Sequence, residues 1–203
     1  MNADAVREAY EAVRAEAGPT VTVVAATKYV AFEEMAVLAE AGVQIAGENR
    51  VQDMKRKHDA FGDRFRWHFI GALQSNKARV VNDVCELVHA VDTDSAARRL
   101  TVPWLLEVNL SGEESKSGVP EAEIETYRER YPLLRGLMTM PPFAEDPEAS
   151  RDTFRRLATL ARDHGLAQLS MGTSQDWRVA VEEGATLIRV GSTLFHAAPR
   201  LRV

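Results

Sequence analysis

Lys28 stands directly after the apolar run Val21–Ala26, in the stretch Thr27-Lys28-Tyr29. A lysine at the end of a strand sends its amine into the space that the strand end opens on, and desolvation there favours the neutral form. A neutral amine can attack an aldehyde and form a Schiff base, which arginine cannot do. A solvated lysine at a strand end accounts for the same position. Arg189 shares a face with Leu187 in the last apolar run, Leu187–Val190, and that face could be interior. A guanidinium donates and never accepts, so against a pyridine nitrogen it would keep that nitrogen unprotonated and weaken the ring as an electron sink. An ion pair with an outer carboxylate fits Arg189 equally well. Two further stretches, Gly172-Thr173-Ser174 and Gly191-Ser192-Thr193, combine glycine with hydroxyls after successive apolar runs. Without a Cβ the backbone N–H groups can approach phosphate oxygens, and the hydroxyls can donate as well. Each stretch alone reads equally as a turn with a helix cap; two side by side favour a small phosphorylated ligand.

Other constellations carry less. His68, His89 and His164, with the lone Cys85, have no metal-ligand spacing, so no metal is expected. Cys85 lies among apolar neighbours and reads as a small buried side chain. Glu113-Glu114 reads as a solvated loop, and Gly42, Gly47 and Gly62 do not make a dinucleotide fingerprint.

The elements that must position these residues follow from the alternation of short apolar runs with amphipathic segments. Asn2–Ala17 repeats apolar residues (Ala5, Tyr10, Val13) at helical spacing and stops at Gly18-Pro19, an extra N-terminal helix. Eight strands follow: Val21–Ala26, Gln44–Ala46, Trp67–Ile70, Leu87–Ala90, Trp104–Asn109, Leu134–Met138, Gln168–Ser170 and Leu187–Val190. Helices are expected near Ala31–Ala41, Arg50–Ala60, Asn76–Val81, Asp94–Leu100, Glu121–Arg130, Pro147–His164 and Gln175–Glu183, with Gly42, Gly165 and Gly184 as C-terminal caps. Strict β-then-α alternation implies parallel strands and right-handed crossovers. Eight units predict an α/β fold, a single (β/α)8 TIM barrel over residues 1–203, with an open doubly wound sheet as the alternative. In a barrel the strand C-terminal ends share one mouth, and Lys28, Ser174 and Arg189 would meet there.

With 203 residues the chain suits one domain, and 45% apolar with 27% charged residues excludes a disordered or fibrous class. A net charge of -5 with no basic stripe argues against a nucleic-acid partner. No apolar run could cross a bilayer and the N-terminus is not signal-like, so no membrane partner and a cytoplasmic location are expected.

The stretches VVAATKYV, AGENRVQDMKRK, WHFIGALQSNKAR, EVNLSGEESKSGV, GLMTMPP, LSMGTSQDW and IRVGSTLFH together resemble, in order and over nearly the whole chain, the pyridoxal phosphate homeostasis proteins. These are also called proline synthase co-transcribed homologues and are related to the barrel domain of alanine racemase. The resemblance implies an alanine racemase N-terminal domain-like fold and pyridoxal 5'-phosphate as cofactor, held as a Schiff base on Lys28. It places Asn49 beside the cofactor ring and Arg189 at the pyridine nitrogen. It gives Ser174, Gly191, Ser192 and Thr193 to the phosphate. Thr173, where the family usually has methionine, and His196, where glycine is common, depart from the pattern. Asp94–Pro103 leaves room for only about two helical turns, shorter than is usual.

Two classes of function compete. One is intracellular storage, buffering or delivery of pyridoxal phosphate, without robust turnover and with apo-enzymes that use the cofactor as recipients. The other is an amino-acid racemase or decarboxylase. Racemases of this lineage draw a second acid/base from a C-terminal β domain, usually across a dimer, whereas only Gly191–Val203 follow the last strand here. The carrier, and a monomer, are therefore the expectation. A sugar-phosphate isomerase or aldolase would need a strand-end acid pair, for which Glu48 is the one candidate.

Overall fold

The computed structural model describes residues 1–112 and 117–195. It opens with α1 (Ala3–Ala17), capped by the Asn2 side chain, which accepts from the Ala5 N–H at 3.0 Å. α1 buries Val6, Tyr10, Val13 and Ala17. Ala5, expected on that face, is exposed, and Val6 takes its place one residue on. Eight parallel strands then close into a barrel in sequence order: β1 (Thr22–Ala26), β2 (Ile45–Glu48), β3 (Arg66–Ala72), β4 (Leu87–Val91), β5 (Trp104–Glu107), β6 (Leu134–Met138), β7 (Gln168–Thr173) and β8 (Leu187–Val190). Pairing of β1 with β8, Val23 opposite Ile188 and Val24 opposite Arg189, closes the cylinder. The open-sheet alternative is thereby excluded.

Between the strands run α2 (Met35–Glu40), α3 (Val51–Phe61), α4 (Ala78–Val84), α5 (Asp94–Ala97), α6 (Ile124–Arg130), α7 (Arg151–Asp163) and α8 (Trp177–Glu182), and α9 (Ser192–Phe195) follows β8. Four of them are entered through a 3₁₀ turn, at Phe32–Glu34, Ser75–Lys77, Glu121–Glu123 and Pro147–Ser150, where sequence predicts continuous helix. The Asp94 helix is shorter than expected and ends at Ala97. Gly42 (φ 83°), Gly165 (φ 65°) and Gly184 (φ 97°) supply the left-handed residues that return the chain to the barrel. No helix of the described residues is long and apolar enough to cross a membrane.

Strand alternation sorts the core into two parts. Residues such as Val23, Trp67, Leu106 and Ile188 face the helices in one large cluster, whereas Val24, Ile45, Leu87, Leu105 and Leu187 plug the inside of the barrel. The interior cluster is small because several inward positions are polar. Two residues beyond Leu87 and Leu187 stand His89 and Arg189, both buried.

Candidate functional site

All eight strand ends contribute to one cavity of about 600 Å³ at the C-terminal mouth. Lys28, Asn49, Ser174, Arg189, Gly191 and Ser192 line it, as do Tyr29, Glu107, Ser117 and Met140. Residues far apart in sequence and singled out for their chemistry thus share one space. Thr193 stays outside the lining. It donates from its hydroxyl to the Ser174 carbonyl at 3.3 Å and so braces the loop that carries Ser174.

Lys28 lies in a 3₁₀ turn, Thr27–Tyr29, directly after β1. The expected desolvation is absent: Lys28 is exposed at the rim, with Nζ 4.9 Å from the centre of the Tyr29 ring. β1 ends at Ala26, and the tight turn lifts the residues after Thr27 out of the barrel rather than prolonging the strand. Asn49, after β2, is exposed at the same rim.

Arg189 faces inward and is 4% exposed. It makes no ion pair among the described residues, so the pairing with an outer carboxylate does not occur. One guanidinium nitrogen donates to Ser170 Oγ and the other to the Thr139 carbonyl at 3.2 Å. The polar chain continues from Ser170 Oγ to His89 Nδ1 (2.7 Å) and from His89 Nε2 to His68 Nδ1 (2.9 Å). Burial pushes His68 down to about 3 and holds His89 well below the ordinary value of 6.5, with His68 and Arg189 adding to the effect on His89. Both rings are therefore neutral. Burial also brings Arg189 down to about 10, against the nearby Glu107 and Asp176, and the guanidinium remains charged at neutral pH.

The loops after β7 and β8 meet. Ser174 Oγ accepts from two backbone N–H groups, those of Gly191 (2.9 Å) and Thr193 (3.3 Å). These amides converge on one acceptor, the arrangement an anion's oxygen requires. Asp176 fixes the preceding loop: Oδ1 accepts from the Thr173 N–H (2.8 Å) and hydroxyl (3.1 Å), and Oδ2 from Ser150 (2.9 Å). The Thr173 hydroxyl is thus engaged within its own loop. Gly172 plays no part in the lining. Its φ is 86°, and a Cβ there would lie 2.6 Å from Ala180 Cβ and 2.9 Å from Trp177 Cα, so the glycine is needed for packing α8 on β7. His196, Glu113 and Glu114 lie outside the described residues.

Two features escape the sequence reading. Glu107 lines the cavity, 5% exposed, and accepts from the Ser117 hydroxyl at 2.7 Å. Burial raises its pKa, with Asp92 adding to the rise and Ser117 and Arg189 opposing it. Extending β5 to Asn109 hides Glu107 inside a strand, whereas the strand ends on it. Glu48, the expected strand-end acid, points outward into a buried ion pair with Lys57. The second feature is the His68–His89–Ser170 chain, whose spacing suggests no ligand set because its members support an arginine rather than a metal. Among the described residues no group of three or more His, Cys, Asp or Glu could hold a metal ion. Cys85 is buried as expected, its thiol pushed up to about 12.

Residues 1–199 match the family described as alanine racemase, N-terminal domain. The chain is 39% identical to a pyridoxal phosphate homeostasis protein of Aquifex aeolicus, covering 84% of each. It is 38% identical to one of Vibrio alginolyticus, covering 88% of this chain and 87% of that protein. Among solved structures, PipY of Synechococcus elongatus with PLP bound superposes with a TM-score of 0.86 at 30% identity, over 94% of this chain and 99% of PipY. Alanine racemase of Corynebacterium glutamicum shares the fold (TM-score 0.75, 18% identity) over all of this chain and 64% of its own.

Proposed function

Because the chain belongs to the alanine racemase N-terminal domain family and to the pyridoxal phosphate homeostasis proteins within it, we propose that it binds pyridoxal 5'-phosphate at the barrel mouth and serves intracellular homeostasis of that cofactor. The observation that carries this reading is one cavity bringing together an amine, Lys28, a buried guanidinium, Arg189, and the Ser174 hydroxyl with the Gly191 amide that meets it. When bound, the cofactor supplies an aldehyde that an amine can take up as a Schiff base. Lys28 is the amine for that capture. The Gly191 N–H group and the Ser174 and Ser192 hydroxyls would hold the phosphate, with Thr193 bracing the loop that carries Ser174. Asn49 and Arg189, which line the same cavity, would hold the ring, Arg189 from the side of its nitrogen. The whole chain acts as one binding unit.

Storage and delivery fit better than turnover. A charged guanidinium facing the ring nitrogen would keep that nitrogen unprotonated and so weaken the ring as an electron sink for carbanionic chemistry. Glu107 on β5, which stands opposite β1 in the closed order, favours a second reading, racemisation or decarboxylation of amino acids with Glu107 as the second acid/base. Sustained formation of D-isomer or amine from single L-amino acids would decide for it. As a carrier the protein acts in the cytoplasm as a monomer and gives its cofactor to apo-enzymes.

The test of the binding reading is direct. Purified protein mixed with pyridoxal phosphate should develop visible absorbance and become permanently labelled on borohydride reduction. Lys28→Ala should lose both, and labelling of that variant would sink the assignment.

A further inference from the structure

Directly beneath Lys28 lies a fully buried ion pair that the binding site does not use. Glu48 is 0% exposed and Lys57, from α3, 5% exposed, and Lys57 Nζ meets Glu48 Oε1 at 2.6 Å. Both groups close on Thr27. The Thr27 hydroxyl donates to the same Glu48 oxygen at 2.6 Å, and Lys57 Nζ donates to the Thr27 carbonyl at 2.9 Å. That carbonyl also accepts the Val30 N–H at 2.9 Å, the bond that closes the 3₁₀ turn bearing Lys28. Glu48 Oε2 is buried without a hydrogen-bond partner among the described residues.

Burying two charges costs their hydration, and the cost is recovered only when every polar atom is paired. A pair that leaves one carboxylate oxygen unbonded is a poor device for stability. What it fixes is position. The three bonds tie the end of β1 to the end of β2 and to α3, and the clamped residues Thr27 and Glu48 directly precede Lys28 and Asn49. Lys28 itself is exposed, and among the described residues its amine meets the Tyr29 ring. An exposed, flexible side chain reaches a reacting atom reproducibly only if its backbone is fixed.

We infer that Glu48, Lys57 and Thr27 are positioning residues that set the Lys28 turn for covalent capture of the aldehyde. The inference rests on the reading of Lys28 as the capturing amine. Their effect falls on the capture step and spares the phosphate loops, which lie across the β1–β8 seam on other bonds.

The test compares two ligands. Pyridoxal 5'-phosphate reports capture through the rate at which visible absorbance appears; pyridoxine 5'-phosphate, which has no aldehyde, reports non-covalent binding. In Glu48→Leu/Lys57→Met the charges leave together, so no lone ion is buried and the thermal midpoint should stay within a few degrees of wild type or rise. Capture should slow by about tenfold or more, in line with the cost of misplacing a reacting group. Pyridoxine phosphate affinity should stay within about threefold, a difference under 1 kcal/mol. Thr27→Val, which removes only the hydroxyl, should slow capture in the same sense, and Thr27→Ser should restore it. Wild-type capture in a folded double variant, or in Thr27→Val if the double variant fails to fold, overturns the inference. So does an equal loss for both ligands. Labelling of Lys28→Ala would instead remove the underlying assignment and leave the clamp to structure alone.

Discussion

Glu107 is an ionisable residue at the mouth whose charge state depends on its surroundings. Burial raises its pKa above the ordinary 4.5, so the folded protein binds this proton more tightly than the unfolded chain. Its favourable contribution is complete below pH 4.5 and is lost as pH rises through the folded-state value. At neutral pH wild type therefore carries a buried carboxylate penalty that Glu107→Gln lacks. The amide oxygen of glutamine can still accept from Ser117, so Glu107→Gln should melt a few degrees higher than wild type at pH 7. The gap should close on acidification below about pH 4.5, where both side chains are neutral. Thermal unfolding of the two proteins across this range checks the sign; a variant less stable at neutral pH would mean that the carboxylate is held by its attraction to Arg189.

At the scale of elements, α8 must pack on the end of β7 closely enough for its loop to present Ser174 to the amides after β8. Gly172 makes that approach possible, combining a left-handed φ with a missing Cβ. Gly172→Ala should cost about 2–4 kcal/mol, from backbone strain together with a collision against Trp177 and Ala180. Urea unfolding measures the loss, and a cost below about 1 kcal/mol would show that α8 can slide away freely. The order of strands and helices was legible in the sequence because apolar runs and terminal glycines are local signals; Leu134–Met138 and Leu187–Val190 have the predicted bounds. Lys28, Arg189 and Ser174 were legible as strand-end residues, and the cavity joins them. What escaped depends on the closed barrel. Whether Glu48 or Glu107 faces the cavity turns on one residue of strand register, and the His68–His89–Ser170 chain spans three strands that only closure brings together.

For the molecule as a whole, the barrel interior is a polar layer laid over a small apolar plug, and that layer sets how the fold meets acid. His68 and His89 are neutral and buried in the folded state, whereas in the unfolded chain each takes up a proton near its ordinary value of 6.5. Below pH 6.5 the unfolded state thus binds more protons, and stability falls with pH until the folded-state values are reached, about 3 for His68. Each such group contributes up to about 1.4 kcal/mol per pH unit in this window, and the two together up to about 2.7. The paired surface carboxylates titrate lower, Glu125 held at about 2 by Arg128 and His164, and add their loss only in stronger acid. Unfolding free energies from urea titrations at about pH 7, 5.5 and 4.5 should therefore drop steeply before the carboxylates begin to protonate. Within the folded barrel both imidazoles stay neutral across this window, so the Ser170 and His89 support of the Arg189 guanidinium should persist until the barrel itself unfolds. A flat profile between pH 6.5 and 4.5 would mean that the imidazoles gain protons within the folded barrel, and that Arg189 is held without them.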